Sequence, residues 1–467
     1  MKNIRNIIGL FLCTLIIPTV LYGCINNAPN EAASIQFSSD SDSTLSVSAG
    51  SDADSGTPDS DSTLSVSAGN DTDSGTQHSD STLSTSVGND ADSGTPDSDS
   101  NLSTSAGNDN AASGETYTEN SIRLIMVGDI LLHTPVEQNS LQADGTYSFD
   151  TIFTATKDVI TGADLALVNQ EVILGGTELG ISGYPAFNGP HEMADCLVSV
   201  GFDVILHGTN HALDKGANGI NRCLDYWNSN YPELTVLGIH NSAESAEEVY
   251  IYQQNGIRIA ILNYTYGTNG IPMPSSMPYA VDLLERGQVI ADIAYAEENA
   301  DFTIVCPHWG TEYSLQPDSS QRNWTQLFLS QGVDLVIGTH PHVIEPIEWV
   351  SDDMGHEMLV YYSLGNFVNW TASSGAGIAN RMVGGMADIT LARNDNGIVE
   401  IQNYGVHPLV CHVSKTPGQI TTYFLEDYTE EMAAANEIRL QDSAFSLSYC
   451  QNLCNQVWGG ELLLPTP

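Results

Sequence analysis

The sequence changes character at Ser121, and that boundary limits what the chain can fold into more than any other feature. Residues 27–120 are Ser, Asp, Gly, Thr and Asn with almost no large apolar side chain. They repeat: Leu45, Leu64, Leu83 and Leu102 recur every 19 residues, as do Gly50, Gly69, Gly88 and Gly107. One apolar residue per repeat cannot offset the entropy of ordering the others, so a disordered acidic stalk is expected and a solenoid is excluded. Like charges should keep it extended. The repeats lack both the Gly-Gly-x-Gly-x-Asp nonapeptide and the EF-hand spacing of calcium sites, so a solvated spacer is the preferred reading.

The first residues read as an export signal. Lys2 and Arg5 form a basic start, residues 7–20 form an apolar stretch, and the segment ends at Leu21-Tyr22-Gly23-Cys24. That ending resembles the lipobox of bacterial lipoproteins, with Cys24 as the lipidated residue; an uncleaved signal anchor and a freely secreted form are the alternatives. All three place the rest of the chain outside the cytoplasm. The lipoprotein form attaches it to the cell membrane through its N-terminus.

No second run of about 20 apolar residues follows, so the remainder is expected to be soluble. The formal net charge of −45, with no Lys or Arg between Arg5 and Arg123, argues against nucleic acid and anionic headgroups as partners. Cys196, Cys223, Cys306, Cys411, Cys450 and Cys454 are too scattered for a disulfide scaffold or a CxxC zinc knuckle, so buried thiols with at most one bridge are expected.

From Ser121 apolar strand-like runs alternate with helical stretches. Strands are expected over residues 122–130, 164–168, 203–206, 235–237, 249–252, 257–264, 302–306 and 334–337, with further strands and turns in 358–363 and 385–405. Helices are expected near 149–160, 192–200, 217–228, 282–298 and 320–330. This pattern implies a layered α/β domain with function in loops at strand ends.

Those loops carry metal-ligand types. The first run ends Gly128-Asp129 with His133 shortly after, and the second ends Asn169-Gln170-Glu171. The others end in His207-Gly208-Thr209-Asn210-His211 with Asp214, in His308-Trp309-Gly310-Thr311-Glu312, and in Thr339-His340-Pro341-His342. Carboxylates, carboxamides and imidazoles without thiolates suit Mn, Zn or Fe. Two such ions sharing a carboxylate would activate water for hydrolysis. Any one element has a bland reading, as turn, cap or solvated histidine; five in order at strand ends point to a joint site.

The ordered set Gly128-Asp129, Asn169-x-Glu171, Asn210-His211-x-x-Asp214, His308-Trp309-Gly310-x-Glu312, Gly338-x-His340-Pro341-His342 and Tyr362-Ser363-Leu364-Gly365-Asn366-Phe367 resembles the CapA-type poly-γ-glutamate capsule synthesis family. That family is related to the calcineurin-like metallophosphoesterases. The resemblance implies a four-layer αββα sandwich over residues 121–412, after a signal peptide (1–23) and the stalk (24–120), and before a C-terminal extension (413–467) packed on it. It implies that Asp129 and His342 bind one metal, Glu171 bridges, and Asn210, His308 and His340 bind a second. His211 would serve the leaving group, with Asp214 in the catalytic set, although Asp214 also suits a cap for the helix starting near Gly216.

His133, Asn169, Glu312 and Asn366 are further candidates, as metal ligands or as residues that orient ligands. The phosphoesterase pattern has Asp-x-His first and Asp second, whereas this chain has Asp129 with His133 four residues on, and Glu171. One ion instead of two therefore stays open. The resemblance also implies an anionic capsule or envelope polymer as partner, and membrane synthase subunits beside it. Three functions follow: a metal-dependent hydrolase in polymer synthesis, a non-catalytic accessory factor for export or anchoring, and a general extracellular phosphoesterase. Trp309 and Phe367 are expected as core or pocket wall, and structural readings are favoured for His240, His407 and His412.

Overall fold

A computed structural model of the chain describes residues 120–416 and 418–467. The signal segment, Cys24 and the stalk repeats lie outside the described residues.

The chain builds one sheet, leaves it to build a second, and returns to finish the first. Strands β1 (Ser121–Ile130), β2 (Leu165–Gln170), β3 (Val204–Leu206) and β4 (Thr235–Leu237) run parallel in the first sheet. The second sheet takes β5 (Tyr250–Gln254), β6 (Ile257–Thr265), β7 (Phe302–His308), β8 (Leu335–Ile337), β9 (Ile347–Ser351) and β10 (Glu357–Tyr361), in the order β5-β6-β7-β8-β10-β9. Then β11 (Asn366–Val368) pairs with the end of β1, and β12 (Val383–Arg393), β13 (Val399–Val413) and β14 (Ile420–Phe424) extend the first sheet on its other side. That sheet has eight strands, the second six.

Period-two patterning in the second sheet sets the layers. Ile259, Ile261, Ile304, Cys306, Leu335, Ile337, Leu359 and Tyr361 enter the large core shared with the first sheet. Their alternates Leu262, Tyr264, Val305, Val336, Val360 and Tyr362 face the other way, against Val289 and Ile293 of the helix Arg286–Asn299 and Leu327 and Phe328 of the helix Ser319–Gln331. The helices Glu192–Val200 and Gly216–Asn230 cover the first sheet, burying Leu197, Val200, Ile220, Cys223 and Trp227 in the shared core. The sheets touch directly: Cys306 Sγ lies 3.9 Å from Met126 Sδ, and Tyr361 donates its hydroxyl to Gly405 O at 2.9 Å. This is the expected four-layer αββα sandwich.

Several local expectations change. The stretch near 149–160 is two short helices, Asp150–Phe153 and Lys157–Thr161, and the polar segment Thr134–Ser140 is helical. Residues 385–405 belong to the antiparallel pair β12–β13. Residues 413–467 supply β14 and a helix, Leu447–Val457, that buries Cys450, Leu453 and Cys454 in the shared core, followed by buried Trp458. All six cysteines of the described residues are free and buried. Among the described residues no helix is long and apolar enough to cross a membrane.

Candidate metal centre

Parallel strands of both sheets end at one rim, and the polar residues collect there. Asp129 lies at the end of β1, Glu171 immediately after β2, Asn210 after β3, His308 at the end of β7, and His340 and His342 after β8. All six are buried. Gly128 makes the approach to β11 feasible: a Cβ there would lie 1.9 Å from Gly365 O, and the Asp129 N–H donates to that same oxygen at 3.0 Å. After β8 the backbone is strained, with His340 at φ 98° and His342 at φ 59°. Non-glycine residues adopt that region only where the surroundings hold them, a recurrent property of functional sites.

The side chains form one connected cluster. His342 Nδ1 lies 3.1 Å from both Asp129 Oδ2 and Asn366 Oδ1, and its Nε2 lies 3.6 Å from Glu171 Oε1. On the other side of Glu171, His308 Nε2 lies 3.7 Å from the same oxygen and 2.9 Å from Asn210 Oδ1. Asn169 donates to Asp129 Oδ1 at 2.8 Å, and Thr339 Oγ1 holds His308 Nδ1 at 3.0 Å. Glu171, His340 and His342 offer donor atoms all within 4.8 Å of one another. Both Glu171 carboxylate oxygens, Asn169 Oδ1 and His340 Nδ1 are buried without a hydrogen-bond partner. Orphaned acceptors of that kind, gathered in one place, fit a cation.

The electrostatics of His308 and His340 suit ligation, while those of His342 and Glu171 favour protonation when no cation is bound. Burial, together with neighbouring imidazoles, drops His308 and His340 well below the ordinary histidine range, so both rings are neutral donors. Burial works against the His342 cation, but Glu171 and Asp129 outweigh it and hold the ring at about 9. Burial pushes Glu171 well above the usual carboxylate range, against the opposing pull of His342.

His211 stands beside the cluster, its Nδ1 2.7 Å from Asp214 Oδ2 and its ring edge-on to Phe187 at 4.6 Å. Asp214 does not cap the helix Gly216–Asn230, whose N-terminus has no side-chain cap; it accepts from the Phe187 N–H at 2.7 Å as well as holding His211. His133 packs on Phe187 at 5.1 Å, and burial followed by the charges of His342, His211 and Arg381 lowers it to about 3. Glu312 is exposed, and its charge adds to burial in raising the pKa of the neighbouring Tyr313 hydroxyl. Asn366 donates to His342 O and Arg381 O, both at 3.0 Å, so it ties the two segments together.

Trp309 and Phe367 are core residues: Trp309 donates to Tyr362 O at 3.0 Å, and Phe367 stacks on Phe153. His240 pairs with Asp282, His407 with Asp388, and His412 with the Tyr428 hydroxyl, all away from the cluster. Three rim residues escaped the reading of the sequence. Tyr266 lies 4.6 Å from the His340 ring, Tyr313 lies 6.0 Å from the His342 ring, and Asn269 reaches His211 Nδ1 at 3.3 Å. Their one signal was position, since Tyr266 and Asn269 follow β6 just as the ligands follow their strands.

Fold and site together define an α/β sandwich with a carboxylate–imidazole centre at its strand ends. The family described as "Bacterial capsule synthesis protein PGA_cap" matches residues 123–371, over half the chain, and the protein belongs to that family. It is 27% identical over 300 residues to the PGA biosynthesis protein CapA of Bacillus subtilis (strain 168), covering 63% of this chain and 74% of that one. It is 28% identical over 188 residues to the capsule biosynthesis protein CapA of Bacillus anthracis, covering 38% of this chain and 44% of that one. Of that second relative the chain thus spans under half the length. Among solved structures, a putative 5'-nucleotidase from Staphylococcus aureus overlaps 63% of this chain and 55% of its own at 16% identity, with a TM-score of 0.41. The Haemophilus influenzae NAD nucleotidase overlaps 62% of this chain and 58% of its own at 13% identity, with a TM-score of 0.38. At these scores neither likeness bears on activity.

Proposed function

We propose that this capsule-synthesis family member works outside the cytoplasm, attached to the membrane through Cys24, and carries a divalent-metal hydrolase site for a capsule or envelope polymer. Glu171 carries the reading: both its oxygens are buried without a partner, and one lies 3.6 and 3.7 Å from imidazole nitrogens on either side. An ionised carboxylate in that position is several kcal/mol unfavourable without a counter-charge, which a divalent cation provides. Asp129 and His342 would hold the ion on one side of Glu171; Asn210, His308 and His340 would hold it, or a second one, on the other. The nitrogen- and oxygen-donor set without thiolate suits Mn, Zn or Fe.

A bound divalent cation supplies Lewis acidity at the scissile group and lowers the pKa of water. The chain's own residues supply the rest. Asp214 holds the His211 Nδ1 proton and so leaves Nε2 as the nitrogen that exchanges a proton with a leaving group. Burial of the cluster lowers the local dielectric, so charge there matters more than it does in water. The non-catalytic accessory role is the second reading, favoured by His133, which packs on Phe187 and leaves the first motif one imidazole short.

The purified protein's metal content, with turnover of a chromogenic phosphodiester in added Mn or Zn, distinguishes the two. The parent should carry metal and turn over, and His340→Ala should lose most of both. No metal in the parent, and no difference between the two proteins, would leave the accessory role standing.

A further inference from the structure

In a protein with a net charge of −45, most arginines are committed to carboxylates. Arg123 pairs with Asp388, Arg222 with Glu178, Arg258 and Arg393 with Asp301, and Arg322 with Glu348. Arg286, Arg381 and Arg439 have no such partner among the described residues, and of these Arg381 is tied to the cluster. It makes no ion pair among the described residues; its guanidinium carbon lies 3.5 Å from the centroid of the Tyr313 ring, and its Nε is buried without a hydrogen-bond partner. Stacking uses the π face of a guanidinium and leaves its in-plane N–H groups free. Those groups form a fork matched to a carboxylate or a phosphate.

The fork is anchored to the metal centre from two directions. The Arg381 carbonyl accepts from Asn366, whose Oδ1 lies 3.1 Å from His342 Nδ1. The Tyr313 N–H donates to Pro341 O at 2.7 Å, between His340 and His342, and the Tyr313 ring lies 6.0 Å from that of His342. Tyr313 is 45% exposed and Tyr266, against His340, is 48% exposed, so the rim around the fork is open and aromatic.

We propose that Arg381, held flat by Tyr313, is the specificity-determining residue that docks an oxyanion of the substrate, carboxylate or phosphate, beside the metal-ligating histidines. The inference deepens the proposed hydrolase reading by naming the charge its substrate carries there. An unpaired guanidinium at this position takes its partner from the substrate. Arg322, by contrast, is occupied by Glu348 and the Tyr362 hydroxyl and cannot serve.

Calorimetric titration of the full chain with a short γ-linked glutamate oligomer, and separately with inorganic phosphate, tests this. Parent, Arg381→Gln, Arg381→Lys and Tyr313→Leu are compared in chelator and in Mn, with metal content measured on each and circular dichroism confirming the fold. Arg381→Gln should lose tenfold or more in affinity for one probe, which identifies carboxylate or phosphate as the source. Arg381→Lys should recover part of it, because a point charge lacks the planar fork. Tyr313→Leu should weaken binding with the arginine still present, and metal content should stay at the parent level throughout. Equal affinity of parent and Arg381→Gln for both probes, or no binding of either by the parent, overturns the assignment. Arginine-dependent binding in a parent that carries no metal would sink the hydrolase reading and leave this one intact.

Discussion

Replacing Gly128 by Ala should separate the geometric account of this site from a merely compositional one. The added Cβ would lie 1.9 Å from Gly365 O, where real Cβ atoms keep at least 3.0 Å, so β1 and β11 must part by more than 1 Å. That opening breaks the Asp129 N–H to Gly365 O bond of 3.0 Å inside a fully buried segment. Overpacking costs about 1–3 kcal/mol, and a buried donor and acceptor left without partners add about 1–3 kcal/mol. A total of about 2–6 kcal/mol corresponds to a fall in melting temperature of roughly 4–12 °C, taking about 2 °C per kcal/mol for a domain of this size. Since Asp129 and Asn366 both contact His342, bound metal should fall as well. Gly145→Ala is the control: φ there is 89° with open space around the Cβ, so left-handed strain alone should cost about 1–2 kcal/mol. Calorimetric melts in chelator, with metal content on the same samples, read both effects. A Gly128→Ala protein that melts with the control and keeps its metal would refute the close-approach argument.

Asp214→Asn should keep the metal of the parent but lower turnover about 100-fold or more, because the imidazole loses the carboxylate that fixes its tautomer; parent-like turnover would remove the pair from the mechanism. Burial lifts Glu345 from 4.5 to about 8, against a hydrogen bond from Gln321, so the fold prefers its neutral form. Its unfavourable contribution is absent below about pH 4.5, grows as pH rises toward 8, and is then constant; Glu345→Gln should therefore become the more stable protein by a few kcal/mol at the top of that window. Denaturant titrations at pH 5 and pH 8 check it, and a stability gap independent of pH would contradict the burial argument.

The strands that carry the candidate ligands were legible because each is a continuous apolar run that stops at a polar residue. The elements that escaped lack that signature. β11 has three residues and exists because Asn366 and Val368 meet the end of β1, a tertiary circumstance. The helix Thr134–Ser140 has no apolar periodicity, and the expected helix near 149–160 breaks at residues 154–156. At the site, residue type and order located Asp129, Glu171, Asn210, His308, His340 and His342. What spacing could not say is which surface each neighbour meets. Asp214 precedes a helix and yet turns to His211, while His133 is claimed by a phenyl ring more than fifty positions away.

Charge gives the placement of Arg381 its meaning. An anionic polymer approaching a chain with 58 acidic and 13 basic side chains meets repulsion that the surrounding salt only partly screens. Attraction is then strongest at a few fixed points close to the chemistry, because Arg123, Arg222 and Arg322 are each neutralised by a carboxylate and Arg258 and Arg393 share Asp301. Two such points are proposed at this rim, a cation held at Glu171 and the guanidinium stacked on Tyr313. A substrate bearing regularly spaced anions can satisfy both at once, one group at the metal and a neighbouring one at the fork, whereas an isolated anion satisfies either alone. On the proposed reading, selectivity for a polymer over its monomer would follow from two contacts at a fixed separation.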